Sequence, residues 1–144
     1  MEKDYQLLKT LLSIPTVTYK EEKMISFLEN WLTENKFDFF KDFKNNIYVT
    51  KQTTPLEQGQ FFPSVVAHMD TVHELDTINI KEELNFNLQK KMKPSLKAYN
   101  DEGNPTGIGG DDKCGIFACL ELLKELPRSE EHTSELQSHS FISY

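Results

Sequence analysis

Four of the chain's six glycines fall within eleven residues, Asn100–Gly110, and that run leads straight into an apolar-periodic stretch, Lys113–Leu126. Glycine lets the backbone turn sharply and leaves space above it, so the pattern predicts a loop feeding a helix. The junction reads Gly107-Ile-Gly-Gly-Asp111-Asp112-Lys113. Two adjacent carboxylates thus open the helix. Aspartate is favoured at a helix N-terminus, where it accepts from unpaired N–H groups and meets the positive end of the dipole. Capping accounts for one aspartate and leaves the other without an assignment. A phosphate-cradling loop does not fit. G-x-G-x-x-G would need glycine where Asp112 stands, and a Walker loop needs G-K-[ST].

The rest of residues 1–127 predicts an α/β chain. Tyr5, Leu7, Leu8, Leu11 and Leu12 recur at helical spacing until Pro15 stops them. Thr18 and Glu21 have the spacing of a capping box. Met24, Phe27, Leu28, Trp31 and Leu32 then predict a second amphipathic helix ending near Asn35. Phe37–Phe43 and Ile47–Lys51 read as strands joined through Asn45-Asn46, since asparagine tolerates positive φ. Thr53–Gln60 is a polar loop. Phe61–Met69, centred on Val65, Val66 and Ala67, reads as a buried strand. Ile78–Lys93 alternates loosely, as a peripheral hairpin strand would.

Composition excludes several classes. At 38% hydrophobic and 27% charged the chain is globular in type, and a formal net charge of -7 argues against a nucleic-acid partner. No apolar run approaches membrane-spanning length, and the first fifteen residues show no signal-peptide pattern. The two cysteines, Cys114 and Cys119, form no C-x-x-C pair, which points to a reducing, cytoplasmic setting.

The second chemical cluster is His68-Met69-Asp70. In an extended chain residues two apart share a side, so His68 and Asp70 can face one surface, at the strand end where α/β folds bind ligands. A carboxylate commonly orients a metal-binding histidine, though the same pair also serves as a plain hydrogen-bonded couple. His68 and His73 are the only histidines before residue 128; His73 is read as a loop residue near the site.

Taken together, Leu12-Ser-Ile-Pro15-Thr with Glu21-Glu22, Val65-Val-Ala-His68-Met-Asp70-Thr-Val, and Gly107-Ile-Gly-Gly-Asp111-Asp112-Lys113-Cys-Gly115 resemble the dizinc peptidases related to tripeptide aminopeptidase (peptidase T), desuccinylases and aminoacylases. The resemblance covers residues 1–127. It implies an incomplete phosphorylase/hydrolase-like zinc-peptidase catalytic domain, with a mixed sheet flanked by helices. It further implies that His68 binds one zinc, that Asp111 bridges two, and that Asp70 belongs to the catalytic machinery as the carboxylate orienting His68. Asp112, where such enzymes often have a strained peptide bond, receives no ligand role. The implied substrate is a short peptide, with a homodimer possible for the full-length protein.

The same resemblance calls for a Glu-Glu pair roughly thirty residues beyond the bridging aspartate, as general base and ligand, and then for further ligands. Glu130-Glu131 lies only 19 and 20 residues past Asp111 and is read as coincidence. Composition also breaks at residue 128. Residues 1–127 hold 15 lysines and no arginine, and Arg128–His139 resembles a translated sequencing adapter. Residues 128–144 are therefore expected to be an artefactual, disordered tail. Two ligands cannot fill a tetrahedral shell, so the chain as given is expected to be inactive, to bind zinc weakly or not at all, and to expose an unpaired sheet edge. Other readings of the same residues are a metal-dependent amidohydrolase or deacylase of the same fold, a non-catalytic α/β binding module and, more remotely, a magnesium-dependent phosphotransfer domain.

Overall fold

The computed structural model describes residues 5–51, 64–86 and 92–126. The first helix, α1, runs Tyr5–Ser13 and buries Leu7, Leu11 and Leu12, as their spacing requires. The second, α2, runs Glu22–Glu34 and buries Met24, Ile25, Leu28, Trp31 and Leu32. The predicted capping box is not formed. Glu21 is itself the N-cap and makes no side-chain cap bond; its carboxylate instead accepts from the Tyr19 N–H at 2.8 Å. Thr18 lies three residues before that N-cap, and its hydroxyl is drawn to a stronger, charged acceptor at Asp70.

A short antiparallel hairpin follows, β1 (Phe39–Lys41) and β2 (Ile47–Val49), with Phe39 opposite Val49. The strands are shorter than the sequence suggests because Asp42 takes over the turn. Its carboxylate accepts from the N–H groups of Lys44 and Asn46, the Asn46 side-chain amide and the Tyr48 hydroxyl. Asn45 carries the positive φ of 66° that the turn needs.

Residues 64–70 form no laddered strand. Val65 and Val66, expected at the heart of a buried strand, are exposed; the buried positions are Ala67, Met69 and Thr71. The alternation of an extended chain is kept, but the backbone pairs with no described strand. A single parallel bridge, Val17 with Thr71, ties it down. The predicted strand over 78–93 is two strands, β3 (Asn79–Phe86) and β4 (Met92–Tyr99), in antiparallel register, with β5 (Pro105–Thr106) added against the end of β4. A Lys9–Glu82 ion pair of 2.7 Å joins this sheet to α1.

The last helix, α3, spans Gly110–Glu125. Its buried face is Lys113, Ile116, Cys119, Leu120 and Leu123. The apolar faces of the three helices meet Ile47, Val49, Ala67 and Met69 in one core. Helices and small sheets in one packed body bear out the α/β class. The described ladders are all antiparallel, and the mixed character rests on the Val17–Thr71 bridge. The polar loop 53–60, Phe61–Pro63 and the tail 128–144 lie outside the described residues.

Candidate metal-binding site

Two segments distant in sequence meet at the mouth of this core. The first is the extended run ending at Thr71. Burial of Ala67, Met69 and Thr71 turns the intervening side chains of His68 and Asp70 outward together. The run is fixed by its end, where the Thr71 N–H donates to the Thr16 carbonyl at 2.7 Å. The His68 Nδ1 lies 3.1 Å from Asp70 Oδ1, and the other carboxylate oxygen of Asp70 accepts from the Thr18 hydroxyl at 2.8 Å. The imidazole is thus held by a carboxylate that is itself held.

The second segment is the opening of α3. Gly109 has φ of 62°, a left-handed conformation that favours glycine. The Asp111–Asp112 peptide bond is cis. Regular helix begins only after this pair, since Asp111 and Asp112 both depart from helical φ/ψ. The paired aspartates divide their work. Asp112 accepts from the Gly115 N–H at 2.9 Å, the contact of an N-cap residue with the third residue of its helix. Asp111, whose side chain is 96% exposed, turns the other way and brings Oδ1 to 3.1 Å from His68 Nε2.

Both nitrogens of one imidazole therefore face carboxylate oxygens. A neutral ring carries a single N–H and can donate to only one of them. Partial burial pulls the His68 pKa down, but the hydrogen bonds to Asp111 and Asp70 outweigh it, and the net shift is upward from 6.5. The ring as it stands suits an imidazolium donating to both sides. The same geometry suits a neutral ring protonated at Nδ1, with a cation in place of the Nε2 proton, between ring and Asp111.

His68, Asp70 and Asp111 are thus brought together from two segments, while Asp112 faces its own helix. Among the described residues no cluster of three or more His, Cys, Asp or Glu side chains is placed to hold a metal ion; the donors facing one another number two, with Asp70 behind the ring. His73 packs against Gly107, where an added Cβ would overlap its imidazole, and its Nδ1 is buried without a hydrogen-bond partner among the described residues. A cleft of about 560 Å³ opens beside Thr18, lined by Pro15, Val17, Lys20 and Lys23 on one side and Glu74–Asp76 on the other.

Sequence reasoning missed two members of this neighbourhood. Thr18 was hidden by its fit to a capping box. Lys113 is fully buried, with its Nζ donating to the Ile14 carbonyl. Its spacing to Ile116, Leu120 and Leu123 puts it on the apolar face of α3, which was the available signal.

The fold has parallels among solved structures. Over 96% of its length the chain superposes on an aminoacylhistidine dipeptidase from Vibrio alginolyticus, with a TM-score of 0.63 and 21% identity. It matches a tripeptidase from Staphylococcus aureus over 98% of its length (TM-score 0.61, 21% identity) and the aminopeptidase PepT from Bacillus cereus over 98% (TM-score 0.61, 19% identity). The chain has the fold of part of these peptidases. It spans 26% of the dipeptidase chain and 35% of each of the other two. No protein-family model matches it, and no curated protein sequence does. No helix among the described residues is long and apolar enough to cross a membrane.

Proposed function

We propose that this chain carries the first metal-binding elements of a zinc-dependent peptidase that acts on short peptides, and that alone it lacks the full set of groups for turnover. One observation carries the reading: His68 Nε2 and Asp111 Oδ1 lie 3.1 Å apart while Asp70 holds the opposite ring nitrogen. In the metal-loaded enzyme His68 and Asp111 would be ligands, Asp111 shared between two ions, and Asp70 the group that keeps His68 in the Nδ1–H tautomer. Two zinc ions so held would supply Lewis-acid polarisation of the peptide carbonyl and activation of a water. The remaining donors and a general base would come from parts of the matched fold outside these residues. The cleft beside Thr18 has a volume in the range of small-ligand pockets and would receive part of the peptide. An amidohydrolase or deacylase would use the same donors; likeness to a dipeptidase, a tripeptidase and an aminopeptidase favours peptides.

Zinc titration followed by NMR tests the reading. Weak binding is expected, with shifts confined to the His68 ring and the Gly110–Asp112 amides, and it should vanish in His68→Ala. Shifts elsewhere, or binding that survives His68→Ala, would overturn it in favour of a hydrogen-bonded histidine in a non-catalytic module. Sub-micromolar binding of two zincs, or hydrolysis of a tripeptide by the isolated chain, would refute its incompleteness.

A further inference from the structure

Lys113 is the one charged side chain among the described residues that is fully shielded from solvent. It occupies a helix face otherwise given to Ile116, Cys119, Leu120 and Leu123, where an apolar residue would be buried at no electrostatic cost. Burying an ammonium is expensive unless its hydrogens find partners. No carboxylate is paired with it among the described residues; its Nζ donates to the main-chain carbonyl of Ile14. That carbonyl sits in the loop leaving α1, and two residues on is Thr16, itself fully buried. Thr16 O accepts from both the N–H and the hydroxyl of Thr71, at 2.7 and 3.3 Å, and the two threonine hydroxyls are 3.4 Å apart. Thr71 directly follows Asp70. Gly109 closes the same knot: a Cβ there would meet Thr71 Cγ2 at 3.1 Å and Lys113 Nζ at 3.5 Å.

A path of polar contacts, joined by the backbone from Ile14 to Thr16, therefore runs from the first turn of α3, through Lys113 and Thr71, to the segment bearing His68 and Asp70. Asp111 is two residues from one end of this path, and His68 three from the other. We propose that Lys113 is a positioning residue, whose bond to the Ile14 carbonyl holds the opening of α3 against the Thr16–Thr71 pair and so keeps Asp111 on His68. The inference rests on the reading of His68 and Asp111 as a site, and it goes beyond that reading by naming what fixes their separation.

The test uses the whole chain, with ring nitrogen NMR of His68 at one pH and zinc titration, in Lys113→Met and Lys113→Gln. Methionine, one heavy atom shorter, fills most of the space without a donor; glutamine keeps a donor. Asp111→Ala supplies the ring signal of His68 without its partner. With helix content unchanged, Lys113→Met should move the His68 ring signals toward those of Asp111→Ala and weaken zinc binding about ten-fold, the low end of what loss of an orienting contact costs a metal site. Lys113→Gln should recover part of both. Wild-type ring signals in Lys113→Met would overturn the proposal, as would an Asp111→Ala variant whose His68 signals match wild type. If Lys113→Met does not fold, Lys113→Gln decides by the same ring signals; if neither folds, Lys113 is a stability residue and the proposal fails. Absence of any zinc effect in the wild type, with the ring signals still moving in Lys113→Met, would sink the metal reading and leave the positioning role standing.

Discussion

Gly115 offers a direct check on the division of labour between Asp111 and Asp112. A Cβ added at residue 115 would lie within 2.5 Å of Asp112 Cγ and Oδ2 and closer still to Oδ1, inside any tolerable contact. The Asp112 carboxylate would have to swing off the Gly115 N–H that it now accepts from at 2.9 Å. Losing an N-cap costs about 0.5–2 kcal/mol. Against this, alanine is better than glycine inside a helix by up to about 1 kcal/mol. Gly115→Ala should therefore fall between stabilising by about 0.5 kcal/mol and destabilising by about 1 kcal/mol in the wild-type chain. In an Asp112→Ala background the cap is already gone, and the same change should stabilise by up to about 1 kcal/mol. The cycle should show a coupling of about 0.5–2 kcal/mol, read by urea denaturation with helical circular dichroism and the fluorescence of Trp31, the only tryptophan. Equal stabilisation in both backgrounds would refute the capping role and free Asp112 to act as a second acidic donor beside Asp111.

Three further outcomes follow from the same geometry. Metal-free, the raised His68 pKa means that protonated His68 stabilises the fold fully below 6.5, and the contribution is lost as pH rises through the higher folded-state value; the wild-type advantage over His68→Gln in urea should shrink as pH rises above 6.5, and a constant difference would contradict it. Zinc affinity should run the opposite way, falling on acidification because the ion displaces the Nε2 proton, and Asp70→Asn should weaken it about 10–100-fold with little change in helix content; calorimetry at two pH values reads both. Leu120→Ala, at a fully buried position of α3, should cost about 2–5 kcal/mol, and a loss under 1 kcal/mol would show that the three helices do not share one core.

The helices were legible because their apolar residues repeat every three to four positions and tertiary packing agrees with that period. Leu7, Leu11 and Leu12, then Met24, Leu28 and Leu32, then Ile116, Leu120 and Leu123 are all buried as their spacing demands. The juxtaposition of His68 with Asp111 is legible only through the family resemblance, and no local pattern encodes it: 43 residues separate the pair. Local rules failed where a distant group competed. Thr18 fits a cap by spacing, yet a carboxylate 52 residues away takes its hydroxyl. Val65 and Val66 read as core from their apolarity, but burial needs covering layers, and the described residues leave both exposed. The β3–β4 hairpin was compressed into one strand because the loose alternation of 78–93 has no strong turn signal within it. Lys113 escaped notice because a lysine is taken for surface by default, although its position in the helical period said otherwise.

Asp111 stands almost wholly in water, and that sets how long an ion could stay. At about 4 Å in bulk solvent a pair of unit charges attracts by only about 1 kcal/mol, against about 4 kcal/mol where the effective dielectric has fallen to about 20. An ion visiting this carboxylate would trade places with its neighbours in solution, so that the segment samples passing cations without storing them. Residence would lengthen only once water is shut out from above Asp111, so the timing of any metal capture would be set by whatever roofs that carboxylate.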